Sequence, residues 1–151
     1  MHFDNNLPQR FESLNEFLSV YRPIITYSVD CSKFIDIYSY QLNLEKRGSY
    51  YQANLVIDQT VFLYDSKSKY WNRIYFGTGS QWVDEVVWIS KRQFLLVGVV
   101  KSTDGKKKPI ILLGDTNNQK LFKYTDTNSQ TYQSDNGYSS IKLTRLRIKG
   151  L

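Results

Sequence analysis

The stretch WVDEVVWISKRQFLLVGVVKSTDGKKKPIILLGDTNNQKLFKYT (82–125) constrains the fold more than any other part of the chain. It contains four runs, Val86–Ile89, Phe94–Val100, Pro109–Leu113 and Lys120–Thr125, separated by Ser90–Gln93, Ser102–Lys108 and Gly114–Gln119. Each run is short and rich in branched or aromatic residues, and clusters of Gly, Asp, Asn, Ser and Lys bound it. This pattern predicts four strands in an up-and-down meander. Phe94–Val100 is apolar except at Gly98, which suits a central strand covered on both faces. Gly98 inside it predicts a bulge or the close approach of a neighbour. Asp104-Gly105 fits a tight connection, because glycine accepts positive φ at little cost. Lys106, Lys107 and Lys108 read as a solvated turn that keeps an edge from pairing with other chains.

At 151 residues the chain is long enough for one domain with its own core. Leu7–Tyr21 is the one helix candidate, with Phe11, Leu14, Phe17, Leu18 and Tyr21 on a single stripe. Asn6 is the expected cap, Pro8 sits in the first turn and Pro23 stops the helix. The helix is expected to lie on a sheet as a lid. Met1–Asn6 ahead of it reads as loose. Further strands are expected at Ile24–Val29, Phe34–Gln41, Tyr50–Ile57, Thr60–Tyr64 and Tyr70–Phe76, with a charged connection over Leu42–Ser49. Asp126–Ser140 is rich in Thr, Asn, Ser and Gln and reads as a long surface loop. Ile141–Ile148 is expected to close the domain as a basic strand, with a bulge near Thr144 or Arg145. The fold class is therefore all-β, mainly antiparallel, with one N-terminal helix and two sheet units over 24–76 and 82–125.

Two segments echo each other. VFLYDSKSKYW (Val61–Trp71) lines up with ILLGDTNNQKLF (Ile111–Phe122) if one residue is inserted. Lys33-Phe34-Ile35 likewise echoes Gln93-Phe94-Leu95. Asp65 and Asp115 fall at the same place, where a carboxylate fixes the following turn by accepting its amides. Repeats of this size point to a blade-type architecture. Over Ile24–Thr125 the chain resembles the blades of β-propeller proteins, and Trp88–Gly98 resembles the first hairpin of one. The resemblance implies a fold and no activity. Propellers use about four blades or more, so a two-unit chain is expected to close as a sandwich or partly open barrel, or to be part of something larger.

Several chemistries lack their residues. His2 is the only histidine and Cys31 the only cysteine. A Ser-His-Asp or Cys-His site then has no base beyond a terminal histidine, a zinc site is not expected, and no intrachain disulfide can form. Gly77-x-Gly79 lacks the rest of a phosphate loop. No cofactor is expected. Asp84-Glu85 is the most suggestive carboxylate pair, but strand neighbours point to opposite faces, so it reads as a solvated loop pair. No apolar run approaches the ~20 residues of a membrane-spanning helix. No secretory signal opens the chain, although one already trimmed of its leader would read the same way. The compartment is left unassigned.

The stronger lead is aromatic. Twelve tyrosines, eight phenylalanines and three tryptophans are many for this length. Alternation along Tyr70–Phe76 places Trp71, Arg73 and Tyr75 on one face. Tyr38 and Tyr40, beside Asp36, form a second mixed row. Such rows either bind a ligand, since Trp, Arg and Tyr dominate contact hot spots, or glue strands together. The expected function is a non-catalytic module that binds a protein or glycan through Trp71, Arg73, Tyr75, Tyr38 and Tyr40. The excess of 20 basic over 14 acidic residues keeps open a nucleic-acid binder using Lys142–Lys149 and Trp71. The third alternative is a carboxylate enzyme, which requires a carboxyl of raised pKa in a cleft.

Overall fold

The computed structural model describes residues 4–5, 11–125 and 138–151. In chain order the elements are β1 (Asp4–Asn5), α1 (Leu14–Tyr21), β2 (Thr26–Tyr27), β3 (Lys33–Asp36), α2 (Ser39–Leu42), β4 (Glu45–Arg47), β5 (Tyr50–Gln52), β6 (Gln59–Asp65), β7 (Tyr70–Gly77), β8 (Gln81–Trp88), β9 (Gln93–Lys101), β10 (Lys107–Asp115), β11 (Lys120–Tyr124), α3 (Ile141–Thr144) and β12 (Ile148–Lys149). The chain is all-β with a small helical part. One sheet has the order β1-β7-β6-β3-β2 and the second β11-β10-β9-β8; both are antiparallel throughout. A small third sheet, β12-β5-β4, joins the C-terminal segment to the excursion between β3 and β6.

Without β1, the first sheet repeats the second: β2, β3, β6 and β7 match β8, β9, β10 and β11. Phe34 pairs with Tyr64 and Tyr64 with Trp71; correspondingly Phe94 pairs with Gly114 and Gly114 with Leu121. The Asp65 carboxylate accepts the Lys67 amide at 2.9 Å, and that of Asp115 accepts the Asn117 amide at 2.9 Å. Lys69 and Gln119 close these turns with φ of 58° and 52°. Ser66 N–H donates to Ser32 C=O, as Thr116 N–H donates to Arg92 C=O. The echo in the sequence is thus a structural repeat. It needs no inserted residue, because Trp71 matches Leu121 rather than Phe122.

Local chemistry moves several element bounds from their expected places. The helix starts at Leu14, because the Ser13 hydroxyl accepts the Glu16 N–H at 3.1 Å and caps it; the expected start over 7–10 and the Asn6 cap lie outside the described residues. The backbone of Asp4–Asn5 pairs with β7, so the N-terminal stretch is not wholly loose. β3 stops at Asp36 instead of reaching Gln41. The Asp36 carboxylate accepts the amides of Tyr38 and Ser39, both at 2.9 Å, and the Ser39 hydroxyl, turning the chain into α2. The expected strand Tyr50–Ile57 runs only to Gln52, and Leu55, Val56 and Ile57 beyond it are exposed. Glu45–Arg47, read as a connection, pairs with it. The expected closing strand is one helical turn, capped by Ser140, followed by the short β12.

Across the first sheet, Tyr27, Phe34, Tyr64 and Trp71 stand opposite one another on one face. Helix α1 covers this face: Phe17 stacks on Phe34 at 5.8 Å and meets Trp71 edge-on at 4.9 Å. Burying such a ring contributes about 1.5–3 kcal/mol. The other face carries Ile35, Leu63, Val61 and Gln59. It is buried, as is the Phe94, Leu96 and Leu112 face of the second sheet, and the apolar residues of both belong to one continuous core. The Gln59 amide bridges from the first sheet to the Val83 backbone, and the Trp88 indole donates to the Thr26 carbonyl at 3.0 Å. Gly114 is required where it stands, because a Cβ there would overlap the Phe94 ring.

Candidate functional site

The second sheet has a face that the described chain leaves largely uncovered, although Val99 on it is buried and Tyr138 bonds to Glu85 at its β8 edge. Its register sets Val87, Leu95, Leu113 and Phe122 in one row. Glu85, Val97, Ile111 and Tyr124 form the next row, then Trp82, Val99 and Pro109. Val87 is 51% exposed, Ile111 42%, Phe122 48% and Tyr124 58%. Together they make an apolar face on the order of several hundred Å², the scale at which exposed patches mark contact sites. Below these rows Lys101 stands directly opposite Lys107. Like charges across a strand pair are unfavourable. Lys107 Nζ lies over the Trp82 ring at 5.7 Å. Lys91, Arg92 and Lys120, all exposed, lie at the other end of the sheet.

The residues singled out from the sequence lie mostly elsewhere. Trp71 is buried among Phe17, Phe34, Phe62 and Tyr64. Arg73 is partly buried opposite Phe62. Tyr75 is buried, and its hydroxyl has no hydrogen-bond partner among the described residues; burial pushes it up to about 12. A register shift between Val61 and Phe62 places Ile74 between the paired residues Arg73 and Tyr75 and breaks the expected row. Tyr38 is buried at the junction of the sheets, and Tyr40 is exposed on α2. The exposed Trp-Arg-Tyr row expected from alternation is therefore corrected: these aromatics are largely core. Trp71 does line a cavity of about 200 Å³, with Phe11, Leu14, Tyr64 and Lys69. That is smaller than the ~300 Å³ lower end of typical ligand pockets.

Where the sheets meet, a polar junction gathers Tyr38, Asp84, Glu85, Tyr138 and Lys142. Asp84 and Glu85 lie within β8 at a bulge opposite Gly98–Val97, which corrects their reading as a loop pair. A Cβ on Gly98 would overlap the Trp82 carbonyl, the close approach that a glycine in this strand implied. Burial raises the Asp84 carboxyl to about 6. The Tyr38 hydroxyl donates to the Asp84 carbonyl at 3.4 Å, and the Tyr138 hydroxyl donates to the Glu85 carboxylate at 2.6 Å. Lys142 Nζ donates to the Ile25 carbonyl at 3.0 Å and to the Thr26 hydroxyl at 2.6 Å, and burial lowers its pKa. These contacts fasten the C-terminal segment across the junction. They also engage part of the basic Lys142–Lys149 cluster: Lys142 points inward, and Lys149 Nζ sits 4.0 Å over the Tyr50 ring.

No protein-family model, curated protein or solved structure matches the chain. Among the described residues, no helix is long and apolar enough to cross a membrane, and no group of three or more His, Cys, Asp or Glu could hold a metal ion.

Proposed function

We propose that the chain is a non-catalytic protein-interaction module and that the open face of β8–β11 is its contact surface. One observation carries this reading: Val87, Ile111, Phe122 and Tyr124 stay exposed on this face, although Phe94, Leu96, Ile110 and Leu112 on the sheet's opposite face are buried in the core. The partner is a protein with an apolar surface bordered by carboxylates. Such a border meets the Lys101–Lys107 pair and relieves its repulsion. A second copy of this chain fits less well, because face-to-face pairing would bring basic ends onto basic ends. The ligand is a protein rather than a glycan, because Val87, Leu95, Leu113, Val97 and Ile111 offer a sugar no hydrogen-bonding side chain, although Phe122, Tyr124 and Trp82 share the face. Enzyme chemistry at Asp84 is the second reading, favoured only by its raised carboxyl.

The test is affinity capture with the wild-type chain and with Ile111→Asp, followed by titration of the captured protein, purified, at two salt concentrations. The expected result is a partner lost with Ile111→Asp and weakened by salt. A partner held equally by both chains overturns the reading. Steeply salt-dependent binding of labelled oligonucleotides in its place would make the chain a nucleic-acid binder.

A further inference from the structure

The repeat says more about what fits the open face. Each sheet unit has two non-equivalent faces. One carries Phe34, Tyr64 and Trp71 in the first unit, and Phe94, Gly114 and Leu121 in the second. The other carries Ile35 and Leu63 in the first unit, and Leu95 and Leu113 in the second. Within the chain, the Ile35–Leu63 face of unit one and the Phe94 face of unit two share the core, tied by Gln59 and Val83. Helix α1 closes the Phe34 face at one end of this two-sheet stack. The Leu95–Leu113 face at the other end has the register of the face that, in unit one, is packed by a sheet.

We infer that the open face receives a β-sheet of another protein, stacked as the second sheet stacks on the first. The inference rests on the docking reading above and names the kind of element the partner contributes. The contact is heterologous: the partner presents a face of the Phe94 type, with acidic residues against Lys101 and Lys107. Heterologous contacts propagate unless something stops them. Here α1 is the stop, since it occupies the face a second copy would otherwise offer.

That role of α1 makes the inference testable without the partner. Phe17 is fully buried under the rings of Phe34 and Trp71. In Phe17→Asp a carboxylate at this place dislodges the helix and uncovers the Phe34 face. Light scattering after gel filtration is expected to show a monomeric wild type. Phe17→Asp is expected to form concentration-dependent oligomers of about two-fold or greater mass, open-ended because the contact is head-to-tail. Adding Ile111→Asp is expected to return it to monomer. Phe17→Ser removes the ring without burying a charge and carries the same reading if the aspartate variant loses its strand signal in circular dichroism. A folded, uncapped variant that stays monomeric overturns the inference, as do oligomers that persist with Ile111→Asp. A wild-type dimer dissolved by Ile111→Asp would place a second copy on the face and overturn it too. If the uncapped variant is monomeric while partner capture still depends on Ile111, sheet stacking fails and docking stands. If oligomers form through Ile111 while no captured partner depends on it, docking of another protein fails instead.

Discussion

The side-chain amide of Gln59 satisfies both backbone groups of Val83, accepting its N–H at 2.7 Å and donating to its carbonyl at 2.8 Å. The same amide donates to the Ile37 carbonyl at 3.0 Å. One buried side chain thus stands in for a strand ladder between the two sheets. Gln59→Met keeps the length and leaves these groups unpaired. An orphaned buried polar group costs about 1–3 kcal/mol, so Gln59→Met is expected to lose at least about 2 kcal/mol. Urea unfolding checks this; a loss under about 0.5 kcal/mol would mean that water replaces the amide.

Trp71 was the natural first mutant from the sequence, and the structure changes what that mutant reports. Its ring touches Phe17, Phe34, Phe62 and Tyr64. Trp71→Ala is expected to destabilise the fold by about 3–5 kcal/mol, the usual cost of emptying an aromatic core site. Thermal unfolding followed by circular dichroism checks it. A folded variant of unchanged stability would mean that the ring is free to serve a ligand. Binding lost with Trp71→Ala therefore says nothing about the contact surface, whereas Ile111→Asp does.

The strand meander of the second unit was legible because its apolar runs and turn residues are local signals. The repeat was legible at Asp65 and Asp115 for the same reason: an Asp that accepts its own turn's amides is written in a few residues. The sidedness of the aromatics was not. Alternation along Tyr70–Phe76 assumes an unbroken ladder, and the shift at Val61/Phe62 breaks it. Nor did alternation show that α1 closes one face while the Leu95–Leu113 face stays open. Phe94–Val100 is apolar on both sides, so it reads as buried twice. The outer row, Leu95 with Val87, Leu113 and Phe122, became visible only once the register was known. Ser140 read as the end of a polar loop and Lys142 as part of a basic strand, because their contacts with Tyr38, Ile25 and Thr26 at the sheet junction span more than a hundred residues.

Asp84 gives the chain a distinct pH dependence. Burial raises its carboxyl from 3.8 to about 6, helped by Glu85 and opposed by Lys107 and a hydrogen bond from Trp82. The folded state therefore holds this proton more tightly than the unfolded state. Its stabilisation is complete below about pH 4 and is lost as pH rises through about 6. Because the group is only half-buried, solvent screening cuts the effect to about 1 kcal/mol. Asp84→Asn is expected to be more stable than wild type by about that amount at pH 7 and equal to it near pH 4. Denaturant midpoints of both chains across this range check it. A difference independent of pH would show that packing, not ionisation, distinguishes them.

Tyr75 makes the opposite case to Gln59. Its ring is buried in the core, yet its hydroxyl finds no hydrogen-bond partner among the described residues. Burying an unpaired hydroxyl costs about 1–3 kcal/mol on mutational scales. Removing the oxygen while keeping the ring takes away that cost and leaves the packing intact. Tyr75→Phe is therefore expected to raise stability by about 1 kcal/mol, a few degrees in Tm for a chain of this size. The same variant is expected to hold any partner of the open face as well as wild type does, since Tyr75 lies on the other sheet. Scanning calorimetry and the partner titration check the two halves separately. A drop in stability would show that the hydroxyl is satisfied by a buried water, and a drop in binding alone would return Tyr75 to the contact surface.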